Sequence, residues 1–143
     1  FGLIYTGSDD GVVHVSQNGG DSWTNISTGL PENMWVSQVF ASQHKESRVY
    51  LSLNAYRWDN FNAMVFVSED YGNSWKQISQ DLPLEPVNVV KEDPSTKNII
   101  YVGTDHGVYV SIDAGKSFMA FSKGLPDVAV HDATACIRTA LIR

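Results

Sequence analysis

The sequence predicts an all-β fold made of repeated four-stranded units, and two observations carry that prediction. One octapeptide occurs three times, as SQNGGDSW at 16–23, SEDYGNSW at 68–75 and SIDAGKSF at 111–118. Each copy is followed, eight residues after its aromatic residue, by a proline at 31, 83 or 126. The copies begin 52 and 43 residues apart, which is a period typical of an array of supersecondary units.

Each unit is predicted to contain four short strands. In the third unit the segments 87–93, 98–104, 107–112 and 117–121 are rich in β-branched and aromatic residues and are separated by Gly, Pro, Asn or Asp. Four strands in a repeat of about 43 residues are typical of a β-propeller blade. We therefore predict about three antiparallel blades: a partial blade over 2–30, complete blades over 35–82 and 87–125, and the start of a fourth over 127–143.

Three blades are too few to close a propeller, which typically has at least 4. Open sheet faces and unpaired strand edges favour association with further strands. We therefore expect the chain to be a fragment of a larger propeller, or copies of it to associate. The expected partners of this kind are remaining blades of the same chain or another copy.

The octapeptide, here called the box, falls between the third and fourth strands of each unit, where it is predicted to build a tight turn. Its glycine supplies a positive φ, its Ser and Asn or Asp bond the turn backbone, and its last, aromatic residue packs between neighbouring blades. These structural residues are Ser16, Asn18, Gly20, Trp23, Ser68, Asp70, Gly72, Trp75, Ser111, Asp113, Gly115 and Phe118. A calcium loop is the alternative, but the box lacks the distal Glu and further oxygen ligands of an EF-hand, so no metal is predicted.

The pattern S-x-D-x-G-x-S-W resembles the Asp-box, also called the bacterial neuraminidase repeat. The unit over 82–118 is similar to repeats of sialidases, xyloglucanase-type glycoside hydrolases, sortilin-type receptors and photosystem assembly factors, and most similar to secreted bacterial proteins labelled glycosyl hydrolases. The resemblance covers 2–131 and implies a propeller and a secreted or periplasmic location. It does not choose a function, because enzymes, receptors and assembly factors share the box.

The composition of the chain argues against several kinds of partner and structure. The net charge is −6 and the ten basic residues are scattered, which argues against nucleic acid as a partner. No apolar run approaches the roughly 20 residues of a membrane span. The single cysteine, Cys136, excludes an internal disulfide, and nothing in the sequence predicts a cofactor.

The second unit carries an insert, NAYRWDNFNA at 54–63, which makes its second-to-third connection eight residues longer than that of the third unit. This connection lies on the face away from the boxes, where the resemblance places ligand sites. Aromatic rings could stack on sugars and polar groups could bond hydroxyls or an acid, although an ordinary loop folded over the blade edge is the alternative. The candidates are Tyr56, Arg57, Trp58, Asp59 and Asn60, with Phe61 as a further ring.

Three further candidates for ligand binding lie in the shorter connections of the same predicted face. They are Asp9, beside Asp10, in the first unit, and Asp105 and His106 in the third. The alternative role of these residues is to cap tight turns before Gly11 and Gly107.

Two functional hypotheses follow. In the first, the chain is part of a sialidase-like or glycosyl hydrolase-like propeller. It contributes a carbohydrate-binding surface and not a complete active site. Sialidases with this repeat use a tyrosine nucleophile and three arginines, whereas only Arg57 of the four arginines here falls on the predicted ligand face. The alternative is a non-catalytic protein-interaction propeller of the sortilin or assembly-factor type, so that the expected ligand is a glycan or a protein.

Overall fold

The computed structural model of the chain describes residues 2–121, 124 and 126–131, and its fold is all-β. The predicted fourth blade over 127–143 lies mostly outside the described residues, as does Cys136. The strands form three antiparallel sheets.

Each sheet is a meander, in which strands that follow one another along the chain are paired. Sheet 1 contains β1 (Ile4–Gly7), β2 (Val13–Ser16) and β3 (Thr24–Asn25). Sheet 2 contains β4 (Trp35–Ala41), β5 (Val49–Asn54), β6 (Met64–Ser68) and β7 (Lys76–Gln77). Sheet 3 contains β8 (Val87–Glu92), β9 (Ile100–Thr104), β10 (Val108–Ser111) and β11 (Met119–Ala120).

The sheets pack face on face, and the core lies between them. Strand β5 is buried along its whole length, because sheet 2 has a sheet against each of its two faces. Such a strand needs apolar residues on both sides, which explains why VYLSLN does not alternate between apolar and polar. The core between sheets 1 and 2 includes Val13, Val15, Ile26, Leu51 and Leu53. The core between sheets 2 and 3 includes Tyr50, Val65, Ile78, Val87, Val90 and Val102.

The first strands of sheets 2 and 3 each contain a β-bulge. The register shifts between Val36 and Gln38 in β4 and between Val87 and Val89 in β8. A bulge places one extra residue in a strand and turns its side chain out of the ladder. The bulged residues are Ser37, whose Oγ lies 2.8 Å from the carbonyl oxygen of Val87, and Asn88. In sheet 2, the bulge therefore provides a polar contact with the next sheet.

Neighbouring sheets also meet through the boxes, in a contact that occurs twice. The indole Nε1 of Trp75 donates a hydrogen bond to the carbonyl oxygen of Ile26, at 2.7 Å, and a Cβ on Gly72 would lie 2.3 Å from Ile26 Cδ1. In the next pair of sheets, a Cβ on Gly115 would lie 2.9 Å from Ile78 Cδ1, and Phe118 packs in the same core. We call this arrangement the box contact. In it, the glycine and the aromatic residue of one box pack against the residue that follows the last strand of the preceding sheet.

Trp23 differs from the other two box aromatics in its packing. Its side chain is 44% exposed, because no sheet among the described residues precedes sheet 1. Trp75 and Phe118, by contrast, each pack against a core between two sheets.

The one helical segment among the described residues is a single 3-10 turn, Tyr56–Trp58. Within these residues, therefore, no helix has the length and apolar character to cross a membrane.

Candidate functional site

The strand order gives the sheets two distinct faces. The boxes join β2 to β3, β6 to β7 and β10 to β11. Because the strands are antiparallel, the connections β1–β2, β5–β6 and β9–β10 lie at the other ends of the strands. We call these two surfaces the box face and the opposite face. All candidate ligand-binding residues of the sequence lie on the opposite face.

The insert leaves β5 through a turn that its own residues close. Asn54 Oδ1 accepts a hydrogen bond from the Tyr56 N–H at 2.9 Å, and the Trp58 N–H reaches the Ala55 carbonyl at 2.9 Å. Asp59 then adopts a left-handed conformation, with φ 56°, and ends the turn. Asn60 Oδ1 accepts the Asn62 N–H at 3.0 Å, which closes a second local turn. The backbone of the insert is thus held by local hydrogen bonds and by the end of a buried strand.

The side chains of this turn point outwards. Tyr56 is 58% exposed, Trp58 is 50% exposed and Phe61 is 45% exposed. Tyr56 and Phe61 contact each other edge to face, with ring centroids 5.7 Å apart. All three aromatic rings of the insert are therefore accessible to a ligand.

A fourth ring, Trp35 at the start of β4, extends this surface. The guanidinium carbon of Arg57 lies 5.6 Å from the centroid of the Trp35 ring, within the range of a cation–π contact. Trp35 is 37% exposed, and Arg57 is exposed as well. Sequence reasoning missed Trp35, which it did not list among the candidates. The aromatic surface, defined as Trp35, Tyr56, Trp58 and Phe61 with Arg57, offers rings that can stack and a cation that can bond an oxygen.

A chain of buried amides connects the insert to the third sheet. Asn54 Nδ2 donates to Asn88 Oδ1 at 3.0 Å, and Asn88 Nδ2 donates to Asp105 Oδ1 at 2.9 Å. Asn54 and Asn88 are 5% and 7% exposed, so the bond between them is shielded from water, whereas the bond to Asp105 is only partly buried. The structure therefore joins two groups of candidates, the insert and the Asp105 turn, through Asn88, which the sequence did not single out.

The Asp105 turn differs from its prediction. Thr104, and not Asp105, closes this turn: its Oγ1 accepts the His106 N–H at 3.2 Å and donates to Glu85 Oε2 at 2.6 Å. The carboxylate of Asp105 bonds Asn88 instead. His106 Nδ1 lies 3.4 Å from Asp127 Oδ1, and both side chains are largely exposed.

Tyr109 lies behind this turn and shares the carboxylate of Glu85. Its hydroxyl donates to Glu85 Oε1 at 3.1 Å. Burial, together with this hydrogen bond and the negative charge of Glu85, raises the pKa of Tyr109 to about 12. The phenol therefore stays protonated at neutral pH and acts as a donor.

In sheet 1 the β1–β2 turn is closed by Asp10. Its Oδ1 accepts a hydrogen bond from the Ser8 hydroxyl and lies 3.3 Å from the Val12 nitrogen. The Ser8 bond is the main cause of a lowered pKa of the Asp10 carboxyl. Asp10 thus has the turn-capping role, and both Asp9 and Asp10 are exposed.

On the box face the polar atoms are occupied by the turn itself. In the third copy Ser111 Oγ accepts the Gly115 N–H at 2.8 Å and donates to Asp113 Oδ1 at 2.7 Å. Asp113 also accepts the Ser117 N–H at 2.9 Å and the Ser117 hydroxyl at 2.6 Å. The hydrogen bond from the Ser117 hydroxyl is the largest of the effects that lower the pKa of Asp113 to about 2.

The other two boxes repeat these bonds. Asp70 accepts from Ser68, and from the Ser74 nitrogen and hydroxyl. In the first box Asn18 takes the same place, because its Oδ1 accepts the Ser22 N–H and its Nδ2 donates to the Ser22 hydroxyl. An amide can therefore replace the carboxylate in this turn. Among the described residues, no three His, Cys, Asp or Glu side chains come together as a metal site.

The two arginines of the described chain lie on opposite faces. Arg57 belongs to the aromatic surface, whereas Arg48 lies on the box face, with Nε 2.8 Å from Glu69 Oε1. Arg138 and Arg143 lie outside the described residues. Because the two arginines of the described residues lie on opposite faces, they do not form a cluster that could bind one ligand.

Comparison with known proteins identifies the fold of this chain but no family. No family model matches the sequence, and no curated protein matches it. Solved structures do match. A GH74 enzyme of Niastella koreensis is 21% identical with a TM-score of 0.65, over 83% of this chain and 20% of that one. YCF48 bound to a D1 peptide is 17% identical with a TM-score of 0.62, over 82% and 36% of the two chains.

The NanB sialidase of Streptococcus pneumoniae is 20% identical, with a TM-score of 0.52, and the match covers 75% of this chain and 18% of that one. At these identities the likeness shows the fold alone, which is a segment of a β-propeller. The chain spans between about a sixth and about a third of the length of the structures that it matches. The predicted fold class is thereby confirmed.

Proposed function

We propose that this chain is a segment of an Asp-box propeller that contributes a carbohydrate-binding surface and not a complete active site. The observation that carries the proposal is the aromatic surface, in which Tyr56, Trp58 and Phe61 are each at least 45% exposed. Exposed apolar patches mark interaction sites, and Tyr56 and Phe61 contact each other within this surface. Sugars present apolar C–H faces that aromatic planes cover well.

Two further features support a sugar as the ligand. The insert is held in place before any ligand binds, since Asn54 fixes the start of its turn and is itself buried and bonded to Asn88. Preorganised rings lose less entropy on binding than mobile ones. Arg57, beside Asp59 and Asn60, adds groups that can bond hydroxyls or a carboxylate.

The proposal assigns no complete active site to this segment. A glycosidase of the usual kind needs two carboxylates across the sugar bond, at about 5–5.5 or 6.5–9.5 Å. On the opposite face Asp10 is engaged in closing a turn, and Asp105 is bonded to Asn88. The proposal therefore assigns binding to this segment and places any catalytic groups in other blades of the propeller.

The test is glycan binding by the purified chain, first on an array and then by isothermal titration with the best glycan. Trp58→Ala and Tyr56→Ala should each weaken binding by roughly 10-fold or more, because each removes a stacking plane. Trp23→Ala is the matched control, since Trp23 is exposed to a similar extent, at 44%, but lies on the box face. If the Trp23 and Trp58 variants bind equally well, the aromatic surface is not the glycan site.

A second candidate function is recognition of a peptide. It is favoured by the likeness to YCF48, whose structure contains a bound D1 peptide and of which this chain covers 36%. Aromatic residues and arginine are also the residues that dominate protein interfaces. A peptide library screened against the chain and the Trp58→Ala variant separates the candidates: retention of peptides by the aromatic surface without glycan binding would favour this second function.

The proposal extends to location. Glycan-binding propellers of the kind that this sequence resembles act outside the cytoplasm, so we propose a secreted or periplasmic protein. Fractionation of the native host with an antibody against the chain tests this. Recovery with cytoplasmic markers would contradict it.

A further inference from the structure

The first box contains an Asn-Gly pair. Asn18 is followed by Gly19, whereas every other asparagine of the sequence is followed by a residue with a side chain. Because glycine has no Cβ, its backbone nitrogen is open to approach by the side chain of the preceding residue. An asparagine side chain loses ammonia most readily in this arrangement, so the pair is a candidate for chemical modification of the chain.

The reaction requires the chain and water alone. The Gly19 nitrogen loses its proton and attacks Cγ of Asn18, so that a C–N bond closes a cyclic imide and Nδ2 leaves as ammonia. Water then opens the imide at one of two carbons. Attack at Cγ restores the normal main chain and gives aspartate, whereas attack at the backbone carbonyl carbon leaves Gly19 joined through Cγ, as isoaspartate.

The position of Gly19 has the same backbone conformation in all three boxes. Its φ is 74°, against 61° at both Tyr71 and Ala114, which occupy the same place in the other two boxes. The N–H of each residue bonds a main-chain carbonyl, at 2.8 Å for Gly19 and 2.9 Å for the others. A Cβ on Gly19 would meet nothing within 4 Å. The first box therefore accepts alanine at this position, as the third box does.

The side chain of Asn18 makes nearly the same bonds as an aspartate. Its Oδ1 accepts the Ser16 hydroxyl and the Ser22 N–H, each at 2.9 Å, and its Nδ2 donates to the Ser22 hydroxyl at 2.8 Å. In the third box Asp113 Oδ2 accepts the Ser117 hydroxyl at 2.6 Å instead. An aspartate at 18 therefore requires only that the Ser22 hydroxyl turn from acceptor to donor. The resulting hydrogen bonds are charge-assisted and therefore stronger.

The isoaspartyl product does not fit the box. Ser16 Oγ accepts the Gly20 N–H at 2.8 Å, which closes the turn over very few residues. Isoaspartate adds one carbon to the main chain between Ser16 and Gly20 and attaches the carboxylate directly to Cα. The bonds from Ser16 to Gly20 and to the side chain at 18 cannot both persist in this longer loop. The two products of one reaction thus have opposite effects on the turn.

Water reaches this part of a box even where another sheet packs against it. Ala114 is exposed, although the next residue, Gly115, lies against Ile78 of sheet 2. Gly19 is exposed as well. Hydrolysis of the imide therefore does not depend on what lies beside sheet 1.

We propose that Asn18 is a site of spontaneous deamidation and that its aspartyl product completes the first box with the bonds of the other two. The hydrogen bonds of the Asn18 side chain and of the Gly19 N–H slow the attack while the box is closed, so the reaction accompanies its local opening. This inference concerns the box alone and does not rest on the proposed glycan function.

The first test is a peptide map of the 143-residue chain by mass spectrometry, after incubation of the folded protein at mildly alkaline pH. We expect Asn18 to gain the mass difference between an amide and an acid. Asn25 is the internal control: it is exposed but is followed by the β-branched Ile26, so it should keep its amide. Gly19→Ala should lose most of the conversion and keep the circular dichroism spectrum of the wild type.

The chain unfolded in urea is the positive control, because its Asn18 is free to react. If the folded chain stays unconverted while the unfolded chain converts completely, the folded box is not a deamidation site. Conversion of Gly19→Ala at the rate of the wild type would also overturn the proposal, since the Asn-Gly pair would then not be responsible.

The second test concerns the products. Asn18→Asp has the sequence of the aspartyl product and should unfold at a higher urea concentration than the wild type. Gln17→Glu is the matched control: it adds the same charge to the neighbouring residue, which is exposed and has Glu69 as its counterpart in the second box, so its midpoint should not change. An Asn18→Asp midpoint equal to or below that of the wild type would show that the carboxylate does not complete the box.

The aged protein provides the isoaspartyl form directly. Ion exchange separates the deamidated chains from the unmodified one, and enzymatic methylation specific for isoaspartate identifies the isoaspartyl fraction. This fraction should unfold at a lower urea concentration than both the unmodified chain and Asn18→Asp. Equal stability of the isoaspartyl fraction and Asn18→Asp would contradict the assignment of opposite effects to the two products.

Discussion

Replacing the box glycine by alanine isolates the energy of the contact between sheets. Gly72 and Gly20 hold the same position in their boxes, and both have positive φ, at 90° and 101°. An alanine in either place has a similar backbone strain, of about 1–2 kcal/mol. Only at Gly72 does the new methyl group meet a neighbouring sheet. The difference between the two variants therefore measures the contact alone.

The size of the difference follows from the distances. A Cβ on Gly72 would lie 2.3 Å from Ile26 Cδ1 and 2.9 Å from Ile26 Cβ, both well inside van der Waals contact. A rotamer change moves Cδ1 but leaves Cβ in place, so the two sheets have to separate slightly. Overpacking of this kind costs about 1–3 kcal/mol. We expect Gly72→Ala to lower the free energy of unfolding by about 2–5 kcal/mol, and Gly20→Ala by about 1–2 kcal/mol.

Urea unfolding followed by tryptophan fluorescence measures both values. The double variant Gly72→Ala with Ile26→Val adds a check. Valine lacks the Cδ1 atom nearest the new methyl group, so the double variant should be more stable than the sum of the two single changes predicts. Equal losses for Gly72→Ala and Gly20→Ala would show that the sheets are not in contact at the box.

Three further predictions follow from the boxes and their neighbours. Asp113 has a pKa of about 2 in the folded protein, against an ordinary value of 3.8. Its ionised form therefore stabilises the fold at pH values above 3.8, and this contribution is lost as the pH falls through about 2. Asp113→Asn should flatten the pH dependence of stability between these two values, as monitored by circular dichroism during acid unfolding. The buried Tyr5 hydroxyl has no hydrogen-bond partner within the described structure, whereas that of Tyr50 bonds a buried glutamate at 3.2 Å. Tyr5→Phe should raise the free energy of unfolding, measured in urea, by up to about 1–3 kcal/mol. Tyr50→Phe should lower it by about 1.5–3 kcal/mol. Equal changes in the two variants would contradict this prediction. Trp75→Phe should cost about 0.5–1.5 kcal/mol through its lost hydrogen bond to the preceding sheet, and Trp23→Phe, at an exposed side chain, should be neutral in the same assay.

The sequence predicts the boxes well because their chemistry is local. Ser111, Asp113, Gly115 and Ser117 lie within seven consecutive residues, so a reader of the sequence can assign their bonds from turn rules alone. The order of strands follows for the same reason, since each strand pairs with the next one along the chain. Repetition strengthens the prediction, because one turn mechanism explains three segments.

The sequence does not predict the parts of the site that depend on distant residues. Asn88 bonds Asn54, 34 positions earlier, only because a bulge in β8 turns its side chain out of the ladder. No local pattern marks that bulge. The Asp105 turn shows a different limit: Thr104 and Asp105 are both able to close it, and the choice depends on Glu85 and Asn88, which the fold brings to either side.

The two faces differ in what their polar groups are free to do. On the box face Asp70 and Asp113 bond their own turn with both carboxylate oxygens, so that binding a ligand there would break the turn. On the opposite face, backbone hydrogen bonds and the side chain of Asn54 hold the turn that presents Trp58. The aromatic rings of this turn are therefore not needed to hold its backbone. An insertion is tolerated at such a point because a longer surface loop costs little more to close. Recognition can therefore change on the opposite face while the boxes keep the sheets together.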